Sequence, residues 1–547
     1  MAEGSARGIV AAARPNAGGD MAGSATAMNL GRLLTQTARR LPGRAALVWG
    51  ERRWTWAELD ARVDRLAAAL RARGVGKGDR VLVHSRNSNA MFESQWACFK
   101  AGAVWVPTNF RLTPPEVAYL AATSRARAML RDRGFAAHAD AVRAAGPWCE
   151  QVLAVGDARP GEVDYEDALA DADPPSPDHE ADVEYADPAW FFFTSGTTGR
   201  PKAAVLTHGQ LAFVVTNHLA DLFPGTTERD ASLVVAPLSH GAGIHQLGQV
   251  ARGARTVLLP AERLDPEAAW RLVEEHRVSN MFTVPTILSA LVEHPAVERH
   301  DHSSLRHVIY AGAPMYRADQ KRALERLGPC LVQYFGLGEV TGNITALRPD
   351  QHSLDDTDPD CPVGSVGAPR TGMDVAILDS GGRRLPPGET GEICVRGPAV
   401  FAGYFENPEA NVKAFAGNWF HTGDLGHLDA RGFLYVTGRA SDMFISGGSN
   451  VYPREVEEAV LTCPGVAECA VVGMPHPRWG EAGIAAVVPQ PGAAVGEAAV
   501  LAHLQDRLAR YKHPLRVVVW DALPRSGYGK VPKAMVRERL DAEGVGF

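Results

Sequence analysis

The chain has 547 residues, with 56 lysines and arginines against 63 aspartates and glutamates and a formal net charge of −7. That length exceeds the roughly 250–300 residues at which one core stops growing, so two or more domains are expected. No basic excess marks it as a nucleic-acid binder, and no apolar run reaches the ~18–20 residues of a membrane span. Seven scattered cysteines without a CxxC pair read as reduced thiols in a cytoplasmic protein.

Residues 1–27 are rich in Ala and Gly and lack the compact apolar segment of a signal peptide, so they read as a disordered tail, with Met21 and Met28 as further candidate starts. From Met28 onward helical and strand patterns alternate. Leu59, Val63, Leu66 and Leu70 recur at helical spacing, and the short run Val81-Leu82-Val83 follows as a strand. Alternation of this kind predicts α/β layering. The acidic, proline-rich stretch Asp171–Pro188 reads as an exposed connector, and Glu150–Glu184 as a solvated acidic face.

Buried strands are expected at Ser232–Val235, Thr256–Leu259 and His307–Tyr310, with a helix over Pro266–His276 between them. After about Pro362 the sequence turns Gly-punctuated and strand-rich, which predicts a smaller β subdomain. Beyond Arg439 a compact α+β domain is expected. It has a helix opened by Pro453, strands at Ala470–Val472, Ile484–Val488 and Val517–Trp520, and a helix with Leu501, Leu504, Leu508 and Tyr511 on one face.

The densest chemical signal is Thr194-Ser195-Gly196-Thr197-Thr198-Gly199-Arg200-Pro201-Lys202, directly after the apolar run Trp190–Phe193. Glycines let backbone N–H groups approach phosphate oxygens, the hydroxyls add donors, and Lys202 adds a point charge. A Walker A loop is excluded because Gly199 is followed by Arg-Pro rather than Lys-Ser/Thr, and no GxGxxG is present.

Four further segments are each ordinary alone. Tyr334-Phe335-Gly336-Leu337-Gly338-Glu339 sets a carboxylate among glycines, and Gly312-Ala313-Pro314 is a strand-to-helix turn. Asp424 in Thr422-Gly423-Asp424 can accept from two vicinal hydroxyls, and Arg439 offers a donor fork. Lys530 sits in a Gly-rich loop near the C-terminus, where a lone lysine is ordinarily a solvated tip. His240, in Pro237-Leu238-Ser239-His240-Gly241-Ala242-Gly243, would alone read as structural. His294, His300, His302 and His307 lack metal-ligand spacing.

In this order the segments resemble the motifs of the adenylate-forming superfamily, which includes acyl-CoA synthetases, luciferases and peptide-synthetase adenylation domains. The resemblance runs from about Asn29 to Lys530. It implies an α/β fold with a large domain over 28–438, made of two α/β layered subdomains and a β subdomain. A hinge at 439–442, centred on Ser441, and a small mobile α+β domain over 443–547 would follow.

The resemblance also assigns roles. Thr194, Ser195, Gly196, Thr197, Thr198, Gly199 and Lys202 would grip phosphate. Gly312, Ala313, Pro314, Phe335 and Gly336 would border adenine, and Asp424 and Arg439 would hold ribose. Glu339 would hold Mg²⁺, Lys530 would promote adenylation, and His240 would gate the acyl pocket or serve the thioester step. Two positions depart from the pattern: Phe335 replaces the usual Tyr, and Gly338 the usual Thr, whose hydroxyl Thr341 or a water would have to supply.

The activity implied is ATP-dependent acyl-CoA synthesis on a medium or long fatty acid, with ATP, Mg²⁺ and CoA. Alternatives are an aryl or other acid, a carrier protein as acceptor, or a non-catalytic acyl-nucleotide binder. His245 and Gln246 would add polarity to an acyl tunnel, and a homodimer is left open.

Overall fold

The computed structural model describes residues 26–173, 180–195, 200–261, 263–313, 315–526 and 531–547. The chain divides into two compact units. One comprises Met1–Val363, Gly367–Asp374 and Val395–Phe420; the other comprises Gly364–Val366, Val375–Cys394 and His421–Phe547. Most of the expected tail lies outside the described residues. Thr26 and Ala27, however, form a short strand antiparallel to Val183–Glu184, which gives their backbone groups partners.

Besides that strand pair, the described residues of the first unit form two larger sheets. A seven-stranded sheet runs in the order Pro201–Thr207, Pro188–Ser195, Val104–Pro107, Arg80–His84, Ala128–Arg131, Gln151–Ala154, Val163–Asp164. All its neighbours are parallel except the terminal hairpin of Pro188–Ser195 with Pro201–Thr207. A nine-stranded sheet has six central parallel strands, among them Ala231–Val234, Arg255–Leu258, Asn280–Thr283, His307–Tyr310 and Leu331–Phe335. Those five are buried nearly throughout, as expected of strands covered by helices on both faces.

The helices start where the local chemistry allows. Thr55 and Glu58 form a capping box that opens Trp56–Ala72, and the whole apolar stripe Leu59, Val63, Leu66 and Leu70 is buried. Asp265 caps Pro266–His276, with proline at its first position. Gly253 closes the helix Gly241–Arg252 in the left-handed region, at φ +74°. Trp105 and Trp190 are register partners on adjacent strands and pack edge to face at 4.5 Å.

In the second unit the strands Asp374–Leu378 (from Val375), Gly391–Arg396 (to Cys394), Trp419–Leu428 (from His421) and Leu434–Arg439 belong to one sheet. The C-terminal α+β part pairs Val466–His476 with Gly480–Pro489, both longer than the sequence pattern implied, and adds Arg516–Val519. The helix expected to reach Tyr511 ends at Leu504. Leu508 still packs on the core, but Tyr511 is exposed in the short turn Arg510–Lys512, and His513 before Pro514 is extended.

Glu162 also departs from the expected solvated acidic face. Its buried carboxylate meets the buried guanidinium of Arg131 and accepts from Arg159 at 3.1 Å. Among the described residues no helix is long and apolar enough to cross a membrane.

Candidate active site

The hairpin turn begins at Thr194 and closes at Lys202, which are register partners. Gly196, Thr197, Thr198 and Gly199 lie outside the described residues, as does the Ser195 side chain. The flanks are well defined. Thr194 Oγ1 donates to Glu339 Oε1 at 2.9 Å, and Tyr404 Oη donates to the same oxygen at 2.9 Å. The Lys202 ammonium lies over the Tyr404 ring at 5.1 Å. Two stretches 145 residues apart in sequence thus meet at one carboxylate.

Tyr404 was not singled out from the sequence. The segment that carries it is stitched to the hairpin edge: Val205 N–H donates to Gly403 O at 2.9 Å and Ala402 N–H to Val205 O at 3.0 Å. Phe401 N–H donates to Glu339 O at 2.8 Å. The only available signal was a Gly-Tyr dipeptide, which does not reveal a partner in a distant strand.

Glu339 sits in a single 3-10 turn, Gly338–Val340, just after the strand Leu331–Phe335. It is 5% exposed, and its second oxygen, Oε2, is buried without a hydrogen-bond partner among the described residues. An ionised carboxylate oxygen is costly to leave in that condition. A hard divalent cation is the kind of group its donor chemistry fits.

Around this turn the backbone folds back tightly. A Cβ at Gly336 would lie 2.4 Å from Gly342 Cα, so only glycine admits the approach. Phe335 ends its strand half-buried, and Gly312, at φ +83°, ends the turn after His307–Tyr310; Pro314 lies outside the described residues.

Thr341 does not supply the hydroxyl missing at Gly338. It is buried, its Oγ1 donates to Val340 O at 2.6 Å and accepts from Asn343 at 3.2 Å, and its backbone is left-handed at φ +53°. Its hydroxyl is already committed to its own turn.

His240 is the residue before the helix Gly241–Arg252. Its Nδ1 lies 2.9 Å from Ser239 Oγ, and its ring meets Phe192 edge to face at 5.4 Å. Further along that helix the two expected polar residues part ways. Gln246 bonds Ser232 and Thr256 of the sheet, a structural role. His245 is buried, and neither ring nitrogen has a hydrogen-bond partner among the described residues. It stacks on Phe282 at 4.7 Å and on His218 at 4.7 Å, with Tyr334 at 5.8 Å. Burial, with the Arg370 guanidinium adding to it, holds the His245 pKa down at about 3, so the imidazole is neutral.

In the second unit Asp424 and Arg439 are register partners on adjacent antiparallel strands, and Arg439 Nε donates to Asp424 Oδ1 at 3.0 Å. Asp424 is braced from below. Its N–H donates to Thr422 Oγ1 at 3.0 Å, and that hydroxyl donates to Ile393 O at 2.7 Å. Glu392 accepts from Gly423 N–H at 3.1 Å and meets His421 Nδ1 at 2.8 Å, with Cys394 Sγ 3.4 Å from the same nitrogen. Among the described residues Glu392, Cys394 and His421 form the one group with metal-ligand donors close together, and none of the four histidines weighed from the sequence belongs to it. Ser441 follows in a turn closed by Asp442 N–H to Arg439 O at 3.0 Å. Lys530 lies outside the described residues.

Comparison with known proteins agrees over nearly the whole chain. A profile described as AMP-binding enzyme matches residues 34–405, and one described as AMP-binding enzyme C-terminal domain matches 455–530. Feruloyl-CoA synthase of an Amycolatopsis species is 40% identical over 93% of this chain and 99% of its own length. The long-chain-fatty-acid–CoA ligase FadD13 of Mycobacterium tuberculosis is 34% identical over 94% and 99%. The ATP-bound crystal structure of MatB from Rhodopseudomonas palustris superposes with a TM-score of 0.84, at 30% identity, over 94% of this chain and 99% of that one.

Proposed function

Because this chain belongs to the AMP-binding enzyme family and is an AMP-forming acid–thiol ligase, we propose that its acid is aromatic, an aryl or arylalkenoic carboxylic acid, rather than a fatty acid. The carrying observation is His245, a buried neutral imidazole with both nitrogens unpartnered among the described residues, stacked on Phe282 beside Tyr334. A polymethylene chain laid against it would leave those nitrogens unsatisfied, at about 1–3 kcal/mol for each group. A ring bearing a polar substituent offers both a stacking face and a hydrogen bond. The 40% identity to feruloyl-CoA synthase supports this reading; the 34% identity to FadD13 keeps a fatty acid as the second one.

In this reading the acid's carboxylate oxygen attacks the α-phosphorus of ATP, the bond to the β-phosphate oxygen breaks, and pyrophosphate leaves. The thiolate of CoA then attacks the acyl carbonyl and AMP departs. Thr194, Lys202 and the intervening loop grip the departing phosphates, Phe335 lies against adenine, and Asp424 accepts from the ribose hydroxyls beside Arg439. Glu339, through Oε2, would hold Mg²⁺, which when bound neutralises charge on the phosphates. Lys530 brings a cation to the meeting of two anions, the step at which like charges repel most. His240 guards the acyl side, and rotation at Ser441 exchanges the first step for the second.

The test is CoA-dependent AMP release across a panel of acids. Substituted cinnamates and benzoates are expected to exceed octanoate and palmitate in kcat/KM by at least tenfold; the reverse order overturns the aromatic reading. Acyl transfer to a phosphopantetheinylated carrier protein, with none to CoA, would count against CoA as the acceptor.

A further inference from the structure

Three phenylalanines in a row, Phe191, Phe192 and Phe193, lie on the strand that leads into the phosphate loop. Side chains alternate along a strand. Phe191 and Phe193 are buried in the core cluster on one face, at 1% and 7% exposure, while Phe192 points the other way and keeps part of its ring open. There it packs near Trp190 and meets His240 edge to face at 5.4 Å.

Phe192 also explains the glycine at 338. A Cβ built there would stand 2.5 and 2.6 Å from Phe192 Cδ1 and Cε1, and 3.0 Å from Thr194 Cγ2. Real Cβ contacts are not that short, so a threonine at 338 and this ring position exclude one another. Gly338 carries no strained torsion that would itself demand glycine. The small residue is there for space, and Phe192 is what takes the space.

We propose that Phe192 and Gly338 form a size-exchange pair that selects the acid: the ring fills the volume of a residue-338 side chain and presents a flat wall beside His240, which favours acids planar next to the carboxylate. Aryl and α,β-unsaturated acids would lie against this wall, whereas a saturated chain would present tetrahedral methylenes to it. The inference rests on the aromatic-acid reading above but adds a specific determinant.

The experiment compares cinnamate, 3-phenylpropanoate and octanoate by CoA-dependent AMP release, in the parent and in Gly338→Thr, Phe192→Val and the double variant. Gly338→Thr alone is expected to lose at least thirtyfold in kcat/KM for every acid. Adding Phe192→Val is expected to restore at least tenfold of that loss. In Phe192→Val and in the double variant the cinnamate-to-phenylpropanoate ratio should fall at least fivefold, with the KM for ATP changed less than threefold. Gly338→Ala, a smaller step, covers the case in which the threonine variant does not fold, and its loss should also be relieved by Phe192→Val.

Losses that simply multiply in the double variants, or an unchanged acid ratio in Phe192→Val, overturn the pair. A parent that prefers octanoate while 192 and 338 still couple would overturn the aromatic reading and leave the size exchange standing. A parent that prefers cinnamate without coupling does the opposite.

Discussion

The proposed nucleotide side and the proposed acid side of this enzyme are built in different ways. On the nucleotide side each group arrives in a short string with its own chemistry. The hydroxyls and glycines of Thr194–Lys202 are contiguous, Glu339 follows a glycine-rich strand end, and Asp424 and Arg439 become register partners across one antiparallel pair. The residues proposed for the acid side come from four stretches, Phe192, His240 with His245, Phe282, and Tyr334 with Gly338, which only the fold brings together. Phosphate and ribose present the same oxygens to every member of such a family and can be met by fixed local motifs. The acid differs from one ligase to the next, and in the reading proposed it is met by packing, in which single residues exchange volume.

This contrast is breakable. Nucleotide-side substitutions should depress all acids alike, whereas acid-side ones that open the wall, such as Phe192→Val, should redistribute activity among them. The largest effect is expected for Lys530→Ala: ATP–pyrophosphate exchange falls by about 10³-fold or more, as for loss of a transition-state charge partner, while ATP binding by calorimetry survives. Unchanged exchange would remove Lys530 from the chemistry.

Next, Glu339→Gln should lower kcat by about 10²-fold and raise the Mg²⁺ concentration needed for half-maximal rate. A normal Mg²⁺ titration would mean that Oε2 serves another partner. Asp424→Ala should raise the KM for ATP by roughly 10–100-fold, as expected for loss of charge-assisted hydrogen bonds worth about 1.5–3 kcal/mol, and should shrink discrimination against 2′-deoxy-ATP. In all three variants the order of preferred acids should not change.

The remaining prediction concerns stability rather than catalysis. Burial holds His84 and His245 near pKa 3, and His208 near 4, in the folded state. Unfolded histidine titrates near 6.5, so below that pH the unfolded chain binds protons that the folded one does not. Their contribution is therefore fully present above about pH 6.5 and is lost as pH falls, toward about 4 for His208 and about 3 for His84 and His245, at about 1.4 kcal/mol per pH unit for each histidine once well below 6.5. Urea midpoints measured from pH 7.5 to 4.5 should fall accordingly, and His245→Phe should flatten the slope by one proton. An unchanged slope would mean that His245 is protonated in the folded protein.

Much of the fold was legible because periodicity and end signals agree. Leu59 to Leu70 recur at helical spacing behind a Thr55/Glu58 capping box, and the buried strands announce themselves as short apolar runs. The pattern failed where long-range partners outweigh it. Glu162 reads as a surface acid until Arg131 is folded against it, and the helix that should have carried Tyr511 stops at Leu504. Tyr404 gave no signal, since its role exists only once its segment is hydrogen-bonded to the hairpin edge.

The sequence by itself determined the family and the α/β architecture and marked the groups proposed to meet ATP, because those groups lie in short strings whose chemistry is carried by residue type. The tertiary structure decided the rest. It showed that Thr194 and Tyr404 converge on one oxygen of Glu339, that the Thr341 hydroxyl donates to its own turn, and that a Cβ at Gly338 would meet the Phe192 ring. Volume is a property of neighbours in space, and a linear string does not carry it.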